Sequence, residues 1–335
     1  MAIASRDGRD TILVTGGAGF IGSNIARALA ADGWRIVVAD WFGTGAKWKN
    51  LAGVLLDDVL RPEDALDWLA ANHARVEAIV HMGAISATTE ADVDLIVERN
   101  IRTTFDLWDA SSRHSVRFIY ASSAATYGDG EAGFVDDMSA GHLARLRPLN
   151  AYGWSKLVAD RRFIADVAAS RARPPQWAGL RFFNVYGPNE AHKDDMRSVI
   201  HKIYPLAASG QSVTLFRSHD PAYEDGGQLR DFIHVDDCVA VMRWLIETPT
   251  VSGIFNVGTG KARSFADLAR AVFSALGAAT DITYVDMPER IRNAYQYFTE
   301  ADMTRLRAAG YPGQFTTLED GIARYVAVLK AAAPQ

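Results

Sequence analysis

Along the first half of the chain, short apolar runs alternate with stretches whose apolar residues recur at helical spacing. Thr11-Ile12-Leu13-Val14-Thr15 is an apolar run that ends in glycines and reads as a buried strand. Ser23–Ala31 has the spacing of a helix, with Gly33 as its stop. The pattern goes on to predict strands over Arg35–Asp40, at Val54-Leu55-Leu56, over Ala78–His81 and over Phe118–Ala121. Helices are predicted over Pro62–Asn72, where a proline stands near the start, and over Glu90–Ser112. Repeated β-α units imply an α/β fold, a doubly wound parallel sheet with helices on both faces.

A helix over Tyr152–Ser170 and a strand over Gly179–Val185 continue the alternation. Beyond Gly187-Pro188 the texture changes. Residues 189–231 are rich in charge and glycine and hold one apolar burst, Val213–Phe216. Phe232–Val235 and Ile254–Val257 read as strands returning to a sheet, and two further helices follow Ser264. The expected organisation is two units, each built from separate stretches: 1–187 with 232–262 for nucleotide binding, and 188–231 with 263–331 as a smaller α/β substrate-binding domain. The loops at 128–148 and 219–227 are long enough to expect function or mobility there.

About half of the 335 residues are hydrophobic, which supplies a core and argues against disorder. The formal net charge of −5 gives no electrostatic case for a nucleic-acid partner. One cysteine, Cys238, excludes an internal disulfide and fits a reducing compartment. It stands beside apolar residues and reads as a small buried side chain. Residues 1–10 are polar and carry no apolar targeting core, and no run approaches the roughly 20 apolar residues of a membrane span. The expectation is a cytoplasmic protein with no membrane partner. The eight histidines are scattered without a His-Glu-x-x-His, so no metal site is expected.

Two motifs carry chemistry. Thr15-Gly16-Gly17-Ala18-Gly19-Phe20-Ile21-Gly22 follows a strand and opens a helix, the context of a Rossmann-type dinucleotide site. Gly16 makes the tight turn, Gly19 lets the backbone approach a pyrophosphate, and Gly22 permits close helix–strand packing. The helix N-terminus then offers free N–H groups to the phosphates. Asp40 ends the second strand, where an acid accepts hydrogen bonds from ribose hydroxyls and favours NAD. Lys47 and Lys49 follow in a short loop and are placed to pair with a 2′-phosphate, so these residues leave NAD and NADP open. Asp58, after the third strand, is placed to meet the adenine amino group or to start a helix.

Tyr152-Gly153-Trp154-Ser155-Lys156 sets a tyrosine and a lysine on one helical face. Ser123 closes the fifth strand, where parallel sheets present ligands. A phenol is a weak base near its free pKa of about 10, and a neighbouring ammonium favours phenolate. Tyr152 is therefore the candidate base for a hydroxyl proton, Ser123 holds the same oxygen, and Lys156 also binds the nicotinamide ribose.

Gly16-x-x-Gly19-x-x-Gly22, Ser122-Ser123-Ala124-Ala125-Thr126-Tyr127-Gly128, Tyr152-x-x-x-Lys156 and Arg181-Phe182-Phe183-Asn184-Val185-Tyr186-Gly187-Pro188 resemble the extended short-chain dehydrogenase/reductase family. Asn189–Val199, His81–Glu90, Gly253–Gly260 and Tyr295–Thr299 are similar to the ADP-L-glycero-D-manno-heptose 6-epimerases within it. That resemblance implies inversion at the carbon bearing the 6″-hydroxyl of an ADP-heptose, through a transient ketone and a bound NADP, in the supply of heptose for lipopolysaccharide core.

It also implies roles. Lys193 matches a second acid/base group. Asn184, Asp195, Lys202, Phe216, Arg217, Ser218, His219, Arg230 and Tyr295 match substrate contacts, with Arg230 suited to a pyrophosphate. Phe20, Ile21, Trp41, Met82, Gly83, Ala84, Ser86, Asn100 and Val185 match the cofactor site. Lys47 matches a lysine near the adenosine phosphate, which favours NADP, with NAD as the alternative. The implied partners are the ADP-linked heptose and further copies of the chain in a homo-oligomer. The stretch 219–227 is longer than in the family.

Rival readings stay in view. One is another nucleotide-sugar enzyme, such as a UDP-hexose 4-epimerase. A 4,6-dehydratase would carry an acidic pair where Ala124-Ala125-Thr126 stand. A non-catalytic cofactor sensor would lack the tyrosine or lysine that are both present here.

Overall fold

The computed structural model describes residues 8–292 and 296–332. Its strands, in chain order, are β1 (Thr11–Thr15), β2 (Arg35–Ala39), β3 (Asp58–Leu60), β4 (Val76–His81), β5 (Arg117–Ser123), β6 (Trp177–Phe182), β7 (Asn184–Tyr186), β8 (Val213–Phe216), β9 (Leu229–His234), β10 (Gly253–Val257), β11 (Ala262–Ser264) and β12 (Ile282–Val285). The helices are α1 (Phe20–Ala31), α2 (Ala65–Asn72), α3 (Val93–Ile96), α4 (Thr103–His114), α5 (Ala140–Arg145), α6 (Ala151–Ala168), α7 (Val199–Ala208), α8 (Val235–Glu247), α9 (Phe265–Leu276), α10 (Glu289–Arg292), α11 (Thr304–Ala308) and α12 (Leu318–Ala332).

Seven strands form one parallel sheet in the order β10-β6-β5-β4-β1-β2-β3. The chain runs outward from β1 through β2 to β3, then returns to the other side of β1 for β4. The carboxyl ends of β1 and β4 therefore border a crevice at the point where strand order reverses, the place where such sheets bind ligands. Inner strands such as β1 are buried on both faces and consist of apolar residues, as a covered parallel sheet demands. One core cluster joins Ile12, Val14 and Ile36 to Ile25 and Leu29 of α1 and to α8. A second, on the opposite face, joins Leu13, Val37 and Ile79 to Trp108 of α4 and Phe163 of α6.

A separate cluster holds the C-terminal elements together, with Ile200 and Ile203 of α7, Leu268 and Val272 of α9, and Ile322 and Tyr325 of α12. Helix α9 is well delimited by a capping box between Ser264 and Asp267 and by Gly277 in the left-handed region at its end. Strands β11, β9 and β7 make a three-stranded sheet, and β12 pairs with β8. Among the described residues no helix is long and apolar enough to cross a membrane. Cys238 is buried in the first core.

Several expected boundaries move. The third strand is Asp58–Leu60, not Val54–Leu56. It lies at the sheet edge with one partner, β2, so it needs no apolar run, and Leu55 of the expected strand is 87% exposed. Gly179–Val185 is two strands broken at Phe183. β6 belongs to the large sheet and β7 to the small one. Phe232 and Ile233 likewise enter the three-stranded sheet, whereas Ile254–Val257 joins the large one. The helical run expected from Glu90 begins at Val93 and contains a π-turn over Val97–Arg102. The loop 128–148 includes α5, and the C-terminal region adds β12, α10 and α11 to the two expected helices.

Candidate active site

A cleft of about 570 Å³ opens at the carboxyl ends of β1, β2, β4 and β5. Its floor is the glycine turn. Gly16 has φ +64°, and a Cβ on it would stand 2.6 Å from the Gly83 backbone. A Cβ on Gly22 would meet the Gly16 carbonyl oxygen at 2.2 Å. Both positions therefore accept only glycine, and the loop leaves the first turn of α1 uncapped by any side chain. The cradle suits a pyrophosphate bound by backbone N–H groups.

Beside it, Asp40 is buried. Its Oδ2 accepts from the Ala18 N–H at 2.9 Å and its Oδ1 pairs with Lys47 Nζ at 2.6 Å. Lys47 also donates to the Trp41 carbonyl at 3.0 Å. Further out, the Arg99 guanidinium lies 3.9 Å from the centre of the Trp41 ring, and Glu63 accepts from both residues. The groove thus has a charged, aromatic end suited to an adenosine.

At the other end, α6 carries Tyr152 and Lys156 one turn apart into the cleft. Asn150 caps this helix by accepting from the Gly153 N–H at 2.8 Å. Gly153 packs so closely that a Cβ would lie 2.5 Å from the Ala125 carbonyl oxygen. That close approach sets Tyr152 beside the Ser123 hydroxyl at the end of β5, and both line the cleft. Burial raises the phenol's pKa, while the neighbouring Ser123 hydroxyl opposes the rise. Burial lowers Lys156 to about 8 against the pull of Asp160.

Asp160 sits behind the site, fully buried. It accepts from Tyr120 at 2.9 Å, Ser122 at 3.0 Å and Arg181 Nε at 2.9 Å. His81 is also buried there and neutral, held at about 3 by burial and the nearby Lys156 charge. Its two ring nitrogens bond Thr15 Oγ1 and Thr104 Oγ1 at 2.6 and 2.8 Å, tying β1 to α4.

The structure brings most of the expected cofactor residues together. Gly16, Gly19, Phe20, Ile21 and Gly22 line the cleft from β1 and α1, and Asp40, Trp41 and Lys47 from the end of β2. Met82, Gly83, Ala84 and Ser86 line it after β4, with Ser123, Tyr152, Lys156, Val185 and Lys193. Lys193 is partly buried with its ammonium 5.5 Å from the Phe20 ring centre, and burial lowers its pKa against the opposing pull of Glu190. The next residue, Asp194, has φ +46°, uncommon for a non-glycine residue.

Other expected residues lie elsewhere. Asp58 does not line the cleft. It opposes Val37, two positions before the end of β2, because β3 begins there rather than ending before it. Asn100 is buried behind the cleft, where it pairs with both backbone groups of Ile85 and donates to Ser155 Oγ, so it positions the wall instead of forming it. Asn184, Asp195 and Lys202 are exposed and outside the cleft. Phe216, Arg217, Ser218 and His219 form the end of β8 and the turn after it, where Arg217 faces Asp225 and Asp286. Arg230 lies on β9, 5.7 Å from the Phe265 ring centre. Tyr295 lies outside the described residues.

Sequence reasoning did not single out His192, Glu63, Arg99 or Asp160. His192 stood inside a segment already marked, and Asp160 follows Lys156 at helical spacing. Glu63 and Arg99 meet Trp41 only through the tertiary fold.

A model of the NAD dependent epimerase/dehydratase family matches residues 12–258. The ADP-L-glycero-D-manno-heptose-6-epimerase of Nitratidesulfovibrio vulgaris (strain DP4) is 50% identical over 324 residues, which are 96% of this chain and 98% of that protein. The solved ADP-L-glycero-D-manno-heptose-6-epimerase of Helicobacter pylori matches with a TM-score of 0.80 at 29% identity, covering 98% of this chain and 99% of that one. UDP-glucose 4-epimerase of Thermus thermophilus, solved with NAD, matches with a TM-score of 0.74 at 25% identity, covering 96% of this chain and 100% of that one.

Proposed function

Since the chain belongs to the NAD dependent epimerase/dehydratase family, we propose that it is an isomerase that converts ADP-D-glycero-D-manno-heptose to its L-glycero epimer. The product is a heptose donor for lipopolysaccharide. The observation that carries the chemistry is the gathering of Tyr152, Ser123 and Lys156 at the meeting of α6 and β5, in the same cleft as the glycine turn.

A nicotinamide dinucleotide fits the cradle of Gly16, Gly19 and Gly22, and when bound it supplies reversible oxidation of the sugar carbon. Tyr152 takes the proton from the 6″-hydroxyl as that carbon is oxidised. Ser123 holds the oxygen throughout. Lys156 lends positive charge, which favours phenolate and so offsets the burial of Tyr152. Inversion requires proton transfer on a second face, and Lys193 serves there, since burial eases its deprotonation. Lys47 supports NADP over NAD. Asn184, Arg217, His219, Arg230 and Tyr295 are proposed sugar and pyrophosphate contacts from the second unit, 188–231 with 263–331, in a homo-oligomeric enzyme.

The test is to incubate the protein separately with ADP-D-glycero-D-manno-heptose and with UDP-galactose, following stereochemistry at each sugar by NMR. Inversion at C6″ of the heptose alone is expected. Inversion of the UDP-hexose with an untouched heptose would overturn the reading.

A further inference from the structure

We infer that His192 works with Lys47 to read the charge on the adenosine ribose of the cofactor, so that a 2′-phosphate is bound with uptake of a proton and an unphosphorylated ribose is bound without one. This rests on the dinucleotide reading above and deepens its choice of NADP.

The corner formed by Asp40 and Lys47 carries no net charge. Both Asp40 oxygens are engaged, one by the Ala18 N–H and one by Lys47, and the Lys47 ammonium is shared with the Trp41 carbonyl. Such a corner accommodates a neutral ribose. A 2′-phosphate brings close to two negative charges above about pH 7, because its second pKa is about 6. One lysine already paired with a carboxylate cannot balance that charge.

His192 supplies the missing cation. It is half-buried on the wall of the same cleft. Its Nδ1 lies 3.2 Å from Asn50 Nδ2. Asn50 belongs to the turn Lys47–Leu51 that also carries Lys47, and its amide donates to Ala18 O at 2.9 Å and Asn189 O at 3.2 Å. The two N–H groups of this amide tie the Lys47 turn to the glycine turn and to Asn189, three residues before His192, and its nitrogen packs against the imidazole.

The charged groups that face the ring are Lys47 and Lys193, which disfavour its cation together with burial, and Asp40, which favours it. The free imidazole is accordingly neutral at pH 7. A phosphate dianion seated between Lys47 and His192 reverses that field, and the imidazole takes a proton from solvent. The phosphate stays dianionic, so the complex holds one more proton than its parts. With NAD nothing reverses the field and no proton enters.

Isothermal titration of the full chain, freed of copurified dinucleotide, with NADP and NAD in buffers of different ionisation enthalpy reads proton uptake directly. It is repeated between about pH 7 and about pH 8.5, where the phosphate's own titration contributes little. The wild type should take up a proton fraction with NADP and none with NAD. The NADP-to-NAD affinity ratio should fall with rising pH, by at most about tenfold per unit for one linked proton. His192→Gln should bind NAD as the wild type does, which reports an intact fold. Its NADP-to-NAD ratio should be lower at pH 7 and flat with pH. A variant with the wild-type ratio and slope, or a wild type without proton uptake, overturns the role of His192 while leaving NADP preference standing. Equal affinity of the wild type for NAD and NADP at every pH overturns the NADP reading itself, and this inference with it.

Discussion

Replacing Lys156 with methionine should make the dinucleotide-free protein more stable while abolishing its turnover. The ammonium is almost wholly buried, at 3% exposure, and burial brings its pKa from 10.5 down to about 8. The difference of about 2.5 units corresponds to roughly 3 kcal/mol at about 1.4 kcal/mol per unit. Because the unfolded chain holds this proton more tightly than the folded one, the cost is complete below about pH 8. It shrinks as the pH rises from about 8 towards 10.5, and it is gone above that. Methionine fills a similar volume without charge. Asp160 is not orphaned by the change, since Tyr120, Ser122 and Arg181 still bond it. Urea unfolding of both proteins at pH 7 and near pH 10 is the assay. The variant should be more stable by about 3 kcal/mol at pH 7 and by under about 1 kcal/mol near pH 10. A variant less stable than wild type at pH 7, or a difference that does not change with pH, would refute the account of Lys156 as a buried cation kept for chemistry at the expense of stability.

Tyr152→Phe should lower turnover at least about a hundredfold with dinucleotide binding retained, read by steady-state assay and titration; near-normal turnover would reject the phenol as acid/base. Lys193→Ala should block heptose inversion, followed by NMR, without changing the melting temperature, and undiminished epimerisation removes it as the second group. Gly22→Ala should lower dinucleotide affinity by at least about tenfold, because its Cβ would stand 2.2 Å from the Gly16 carbonyl oxygen; unchanged affinity contradicts the cradle. Asp160→Asn should cost about 3–5 kcal/mol in denaturant unfolding, since it leaves the Arg181 guanidinium at 0% exposure without a counter-charge. A loss below about 1 kcal/mol would mean that Arg181 finds other partners.

The features legible in the sequence share one property: each is contained within one or two neighbouring elements. The turn from Thr15 to Gly22 announces itself because strand, glycines and helix are contiguous and only glycine satisfies Gly16 and Gly22. Tyr152 and Lys156 are one turn apart, so helical spacing alone puts them on one face. The apolar strands β1, β2, β4 and β5 were readable because a strand covered on both sides must be apolar throughout.

What only the tertiary structure decided involves partners far apart in sequence. β3 was misplaced because an edge strand owes its position to a single neighbour and not to its own hydrophobicity, and the error carried Asp58 away from the cleft. At Phe183 the N–H still bonds Val257 of β10, but the Phe183 carbonyl accepts from the Val185 N–H, so the chain turns out of the large sheet to pair with β9, a partner that no local pattern encodes. The meeting of His192 with Asn50 and the stacking of Arg99 on Trp41 likewise join segments far apart in sequence. Periodicity records what a residue needs from its own element, whereas pairing between distant segments is set by the packing of the whole, and this chain divides along that line.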